Sequence, residues 1–235
     1  GIEKNKVQAV ILFKRASTEG NHEAMFNYGN ALFNGEGIDQ DRKKAAELFQ
    51  KAANEGNSKA MVKYGDILYK GIYIKKNRVK AMQEYQKAAD LNELEGVLKY
   101  AEGLSAGDGV TQNKERAIYY YQKAADLDDF ESIKKCAKAF YYGEDIKMNK
   151  IEGLKYFKQA ADLGDLDSMI ILADELFKGE NIEENKKEAA KYYKKAADNG
   201  SFEAIEKYAN IVAKGLGVPI NYEEALQYYD IAMKK

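Results

Sequence analysis

The chain has 235 residues, 45% of them hydrophobic, and its 37 basic and 38 acidic residues give a net charge of −1. Because Lys and Glu are interspersed, the chain lacks the basic excess of proteins that bind polyanions, and nucleic acid is not expected as a partner. The single cysteine, Cys136, excludes an intrachain disulfide, and no segment reaches the ~18 apolar residues of a membrane span, so membrane insertion is not expected.

One unit recurs along the chain with a fixed period. Its full copies begin 36 residues apart, after a half repeat at 5–20 that corresponds to the second half of the unit. A fixed period of this size is typical of a solenoid, in which each repeat packs on its neighbours. We therefore expect a single repeat domain over 1–235, all-α, with thirteen helices and essentially no strand. The predicted full repeats are 21–56, 57–92, 93–128, 129–164, 165–200 and 201–235.

The first helix of the unit, helix A, is predicted at positions 3–14, counted from the first residue of each repeat. Positions 4, 5, 8, 9 and 12 lie on one side of such a helix and combine small with large side chains, which indicates close packing against neighbouring helices. Position 15 is always a glycine, which can end a helix in the left-handed conformation. These glycines are Gly35, Gly71, Gly107, Gly143, Gly179 and Gly215.

The second helix, helix B, follows a short loop. Position 17 indicates a second tight bend, since every residue there except Tyr73 tolerates positive φ. Position 21 is Asn or Asp in every repeat, and these side chains accept hydrogen bonds from the free N–H groups of a first helical turn. Glu152, Glu188 and Glu224 stand at the capping-box position. Helix B then carries an aromatic residue at position 29, namely Phe49, Tyr85, Tyr121, Phe157, Tyr193 and Tyr229.

No constellation of catalytic residues is apparent. His22, the only histidine, is more than three repeats from Cys136, so a Cys–His site is not expected. One His and one Cys are too few for a zinc site. The acidic B–A turns lack the glycine and terminal Glu of a calcium-binding loop, so a calcium site is not expected. The Gly-x-Gly pairs follow helices rather than strands, which argues against a dinucleotide-binding site. We predict no enzyme activity, no metal and no cofactor, although the many acidic residues leave a carboxylate-pair hydrolase formally open.

Two stretches of the unit carry a family resemblance, AMFNYGNALFNGEGI and AAELFQKAANEG. They resemble the AxxxYGxxLxxGxGV and AxxxFxKAAxxG patterns of the Sel1-like repeat, a relative of the tetratricopeptide repeat, and the resemblance extends from Asn5 to Met233. A tetratricopeptide array is the alternative, but its unit is typically ~34 residues long. Cys136 and Leu172 replace a tyrosine and Gly153 replaces an alanine, and these departures are expected to loosen their repeats.

The resemblance implies an α/α right-handed superhelical solenoid whose A helices line the concave side, and a role as an adaptor that holds proteins or peptides together. Helix-A positions 6, 10 and 13 would face that groove and contact an extended peptide or a partner helix. Packing of position 6 into the core and solvation of position 10 are kept as alternatives. The predicted partner-binding residues are Phe26, Asn30, Phe33, Val62, Asp66, Tyr69, Leu98, Glu102, Lys138, Tyr141, Ile170, Asp174 and Asn210.

Two functions are therefore considered. The first is a non-catalytic scaffold or adaptor whose partner is a protein or peptide bound in the groove. The second is an architectural or self-associating spacer that contacts other chains through the ends of the repeat array. Because the chain begins with Gly1 rather than Met, an excised fragment is one interpretation. A cytoplasmic location is favoured, with secreted, periplasmic or endoplasmic-reticulum locations as alternatives.

Overall fold

The computed structural model describes residues 2–233, with side chains described for residues 5–233, and this part of the chain consists of helices joined by short loops. Gly1 and residues 234–235, the ends of the predicted domain, lie outside the described residues. The described part contains thirteen α-helices and no strand, which confirms the predicted fold class. The helices are α1 (Ile2–Thr18), α2 (His22–Asn34), α3 (Arg42–Asn54), α4 (Ser58–Lys70), α5 (Arg78–Asp90), α6 (Leu94–Ala106), α7 (Lys114–Ala125), α8 (Phe130–Tyr142), α9 (Lys150–Asp162), α10 (Leu166–Lys178), α11 (Lys186–Asp198), α12 (Phe202–Lys214) and α13 (Tyr222–Met233).

The helices form two compact units, Gly1–Leu127 and Asp128–Lys235. In the first unit each helix from α1 to α7 packs against the next, and α4 also contacts α6. In the second unit the helices from α8 to α13 pack in the same sequential way. The even-numbered helices are the A helices and the odd-numbered helices are the B helices. Each unit is therefore a solenoid in which a repeat contacts mainly its neighbours.

Helix A begins and ends at devices encoded within a few residues. The Asn21 side chain accepts a hydrogen bond from the Ala24 N–H at 2.8 Å, and Asn57 caps α4 in the same way. At the other end, Gly35 has a φ of 74°, and its N–H donates to the Ala31 carbonyl at 2.8 Å. All six position-15 glycines have a φ between 69° and 74°, which confirms that they end helix A in the left-handed conformation.

The bend at position 17 differs from the prediction at two residues. Tyr73 adopts a φ of 66°, whereas Asn181 does not have a positive φ. At position 17 of the next repeat, the backbone lies close to the first turn of the preceding helix B. A Cβ on Gly109 there would be 2.6 Å from the Arg78 carbonyl oxygen. The Tyr73 hydroxyl accepts a hydrogen bond from Arg42 at 2.7 Å. The loop therefore still contacts the first turn of α3, but through a side chain.

The predicted cap residue precedes the first turn of helix B, but the predicted capping box does not form at Asn185. The Asn185 side chain accepts from the Glu188 N–H at 3.0 Å, as expected. The Asn185 N–H, however, donates to the Leu176 carbonyl of helix A at 2.8 Å, and it is not available to Glu188. The Glu188 carboxylate instead accepts from the Asn185 side-chain amide at 3.2 Å. The backbone bond between positions 21 and 12 recurs in all six full repeats and ties helix B to helix A.

Helices A and B approach closely where small residues face large ones. The Phe49 side chain is 1% exposed, and a Cβ on Gly29 would lie 2.8 Å from its ring. Gly153, which was expected to loosen its repeat, has the opposite effect. A Cβ there would lie 2.6 Å from the Tyr141 nitrogen, so α8 and α9 are closer than an alanine allows. The Tyr141 ring packs edge-on against Phe157, with centroids 5.4 Å apart.

Candidate functional site

The predicted partner-binding residues lie on the A helices, and their exposure differs. Val62 and Ile170, at 1% and 6% exposed, are buried by neighbouring helices and belong to the core. At these two residues the alternative for position 6 holds, and a partner has no access to the side chain. The partly exposed residues are Phe26, Asn30, Phe33, Asp66, Tyr69, Leu98, Tyr141 and Asp174. The exposed residues are Glu102, Lys138 and Asn210. We call the surface formed by positions 6, 10 and 13 the A-helix face.

Two carboxylates at position 10 take part in networks that sequence reasoning missed. Asp66 accepts a hydrogen bond from the Tyr85 hydroxyl at 2.7 Å, and it pairs with Lys99 of the next repeat at 3.1 Å. The second unit contains the same arrangement, in which the lysine nitrogen and the carboxylate oxygen are 2.7 Å apart. The recurring spacing of Asp, Tyr and Lys is the signal that predicts it. The members of the second network are Asp174, Tyr193 and Lys207.

The protonation of the first network follows from its contacts. Burial, together with the hydrogen bond to Asp66, raises the pKa of Tyr85 far above its usual range. Burial alone disfavours the charge of Lys99, but the attraction of Asp66 outweighs it and raises the lysine pKa. The phenol is therefore neutral and the lysine charged at neutral pH. These groups join adjacent repeats rather than standing free on the A-helix face.

The aromatic side chains at position 13 are held by cations from the start of helix B. The Arg78 guanidinium lies 5.0 Å from the centre of the Tyr69 ring, and the Arg42 guanidinium lies 5.3 Å from that of Phe33. The Tyr69 hydroxyl donates to Asp108, which also accepts from Arg78 at 2.7 Å. The Tyr69 hydrogen bond lowers the pKa of the Asp108 carboxyl. Cation–π contact and hydrogen bonding thus orient these rings. In the second unit the pairs are Tyr141 with Lys150 and Phe177 with Lys186.

A buried carboxylate in the second unit explains the unusual loop at Asn181. Glu175 is buried in α10, and it accepts a hydrogen bond from the Tyr141 hydroxyl at 2.5 Å. The Asn181 side-chain amide donates to the other oxygen of Glu175 at 2.6 Å. Asn181 therefore serves as a hydrogen-bond donor to a buried carboxyl group, whereas the other full repeats have a positive-φ residue at this position.

Three clefts lie in a row on the A-helix side of the first unit, each at a junction between consecutive repeats. The cleft between α2 and α4 has a volume of about 260 Å³, and Phe33, Phe49 and Ile67 form part of its lining. The cleft between α4 and α6 also measures about 260 Å³, and Tyr69 and Tyr85 line it. The cleft between α1 and α2 measures about 160 Å³. The clefts recur because the repeats that form them are stacked in the same way.

The residues considered for metal binding and catalysis do not lie in these clefts as a group. The described residues hold no group of three or more His, Cys, Asp or Glu side chains arranged to bind a metal ion. His22 is exposed, with its Nδ1 3.5 Å from the Asn57 side-chain amide, and Cys136 is buried. Neither residue lines one of the three clefts. Among residues 2–233, none of the helices has the length and apolar character needed to cross a bilayer.

The family model of the Sel1 repeat matches almost the entire chain. Seven consecutive copies are found, and the boundaries of the full ones lie within one or two residues of the repeats predicted from the sequence. The matched segments are 1–21, 22–57, 58–93, 95–129, 131–165, 166–201 and 203–234.

Two solved structures are similar to this chain over nearly its full length. A Sel1 repeat protein from Oxalobacter formigenes is 27% identical with a TM-score of 0.68, and the match covers 99% of this chain and 96% of that one. A protective antigen of uropathogenic Escherichia coli strains, which displays the Sel1-like repeat fold, is 27% identical with a TM-score of 0.58. That match covers 97% of this chain and 49% of the antigen, so this chain spans about half the antigen's length. A search among curated proteins gave no match. The agreement of seven matched copies with the helical array observed here shows that the chain belongs to the Sel1 repeat family.

Proposed function

We propose that this protein is a non-catalytic interaction scaffold that binds a peptide or a partner protein on the A-helix face of its repeats. Sel1 repeat proteins are generally protein–protein interaction scaffolds. The observation that carries the proposal for this chain is the row of three clefts in the first unit. Each cleft combines apolar side chains with polar or charged groups, a combination that suits the side chains and backbone of an extended segment.

The row also offers polar groups that the fold does not use. The side chains of Asn27 and Asn30 have no hydrogen-bond partner within the described residues, and both line the α1–α2 cleft. Asn30 lines the α2–α4 cleft as well. An amide between two clefts is placed to pair with the backbone of a segment that runs from one cleft to the next. In the second unit Lys138 is exposed at the equivalent position, whereas Asn210 donates to the Glu206 carbonyl and accepts from the Tyr229 hydroxyl.

Capture of partners from an extract of the source organism tests this proposal. The double variant Asn30→Glu/Glu102→Arg introduces a carboxylate into the α2–α4 cleft and a cation into the α4–α6 cleft, so the charge of both clefts changes. The control Glu47→Arg/Gln83→Glu makes the same change in net charge at exposed positions of helices B. We expect the first variant to lower the recovery of partners about tenfold, as for the loss of important interface contacts, and the control to match the wild type. Recovery is quantified by mass spectrometry, after circular dichroism has shown that both variants are folded.

Equal recovery of the same partners by both double variants would contradict binding on the A-helix face.

A second candidate function, self-association, is favoured by exposed apolar residues on the first and last helices. Ile11 and Leu12 are exposed on α1, and Leu226 and Met233 are exposed on α13. Contiguous apolar surface is typical of interfaces. If the captured protein is this chain itself, and the A-helix variant captures it equally well, self-association is supported instead.

A further inference from the structure

The junctions between repeats differ in whether the lysine at position 7 has a partner. Lys99 pairs with Asp66 of the preceding repeat at 3.1 Å, and the equivalent lysine of the second unit makes the same contact. At the α2–α4 junction the aspartate is replaced by Asn30, which carries no charge. Lys63, the position-7 lysine of that junction, is exposed, and its side chain has neither an ion pair nor a hydrogen bond within residues 5–233. This cation lines the α2–α4 cleft and is not used by the fold.

A second difference makes the same cleft more apolar. Position 29 is Phe49 here, whereas Tyr85 occupies it in the next repeat and donates its hydroxyl to an aspartate. The Phe49 ring contacts Phe26 and Phe33, with centroids 5.9 Å and 6.3 Å apart. The partly exposed Phe33 ring, supported by the buried Phe49 ring, therefore lines the same cleft as an unpaired cation. A surface of this kind lowers the local dielectric constant and strengthens the attraction of Lys63 for an anion.

The two larger clefts of the row have opposite charge. Lys63 and Lys70 line the α2–α4 cleft, against the single carboxylate of Asp66, which already pairs with Lys99. Carboxylates are in excess in the cleft between α4 and α6, and they oppose the binding of an acidic group. The charged residues of that second cleft are Asp66, Lys70, Lys99, Glu102 and Asp108.

We propose that the α2–α4 cleft binds an acidic side chain, Asp or Glu, of an extended peptide segment, and that a neighbouring apolar side chain of the segment packs on the partly exposed Phe33 ring. Lys63 supplies a charge-assisted hydrogen bond, and the Asn30 amide supplies a second donor. The inference rests on the proposed function, because it specifies the segment that binds on the A-helix face. Further clefts lie on both sides of this one. The segment therefore continues in both directions, which favours an internal acidic residue over a terminal carboxylate.

Three pools of short synthetic peptides with randomised flanks test the inference on the full chain. The first pool has a central Glu-Leu pair and an amidated C-terminus. The second has Gln-Leu in the same place and the same amide, and the third has Gln-Leu with a free terminal carboxylate. Retention of each pool on the immobilised protein is measured by mass spectrometry. We expect the Glu-Leu pool to be retained about two- to fivefold more than the amidated Gln-Leu pool, as for one charge pair at a partly exposed site.

Two variants and one control assign this preference to Lys63. Lys63→Gln removes the cation. Asn30→Asp leaves the cation in place and supplies the internal partner that Lys99 has in the next repeat. Both variants are expected to bring the ratio between the amidated pools to about one, because the inference assigns the peptide carboxylate to Lys63 rather than to Lys70, and Lys63 is then either absent or paired internally. Lys43→Gln makes the same charge change at an exposed position of α3, outside the cleft, and is expected to keep the wild-type ratio.

Three outcomes overturn the inference. The first is equal retention of the two amidated pools by the wild type. The second is a preference for the pool with the free terminal carboxylate over both others, which indicates a site for chain ends. The third is no retention of any pool. If both amidated pools are retained equally and the Asn30→Glu/Glu102→Arg variant retains neither, the A-helix face still binds peptides and only its selectivity for acidic residues is refuted.

Discussion

Replacing Phe49 with alanine is expected to lower the free energy of unfolding by about 3–5 kcal/mol, the usual cost of removing a fully buried aromatic side chain. Phe49 is 1% exposed, its ring contacts Phe26 and Phe33, and Gly29 approaches it closely from helix A. The helices around it are anchored by caps and by the position-21 backbone bond, so they cannot collapse fully into the space. Urea unfolding followed by circular dichroism measures the loss.

The control for this variant is Phe202→Ala, which makes the same chemical change at a side chain that is 46% exposed. A surface change of this kind is expected to alter stability by less than about 1 kcal/mol. If the two variants lose equal stability, or if Phe49→Ala is as stable as the wild type, Phe49 is not the packed centre of its repeat.

Gly153→Ala is expected to destabilise the second unit by about 1–3 kcal/mol, as for an overpacked core. Helix propensity and the alanine found at this position in the other full repeats both predict a gain of about 1 kcal/mol instead. The structure predicts a loss of stability instead, because the new methyl group would lie 2.6 Å from the Tyr141 nitrogen. A backbone atom cannot move aside without displacing α8, so the cost exceeds the gain in propensity.

Ala189→Gly is the matched control, at the same repeat position in the same unit. It removes a buried methyl group and lowers helix propensity, and it is expected to cost at least about 1 kcal/mol. Both exchanges are thus predicted to destabilise, although they run in opposite directions. A thermal-unfolding midpoint for Gly153→Ala above that of the wild type would show that α8 and α9 have room for the methyl group.

The sequence was sufficient for the parts of the fold that depend on short-range chemistry. The Asn21 cap and the Gly35 terminator each act within four residues of their own backbone. Residue type and spacing therefore determine them. The repeats share these devices, except that Glu93 makes no side-chain cap bond at the start of α6. The number of helices and their approximate boundaries therefore follow from the period.

The features that were missed depend on neighbours in space. Val62 and Phe26 share position 6, yet only Val62 is buried, because burial depends on which side chains the adjacent helices present. The Asp66–Lys99 pair joins two repeats, and it becomes visible only when position 10 of one repeat is compared with position 7 of the next. Gly153 shows the same limit, since its effect depends on how closely α8 approaches rather than on the propensity of its own helix.

The central claim is that partners bind on the A-helix face, and site-specific photo-crosslinking tests it most directly. A photoreactive phenylalanine analogue is placed at Asn30 or Glu102 on the A helices, and at Glu47 or Gln83 on the B helices, in separate samples of the full chain. We predict that irradiation in an extract of the source organism gives protein adducts from the A-helix positions and none from the B-helix positions. Adducts confined to the B-helix positions would contradict the claim.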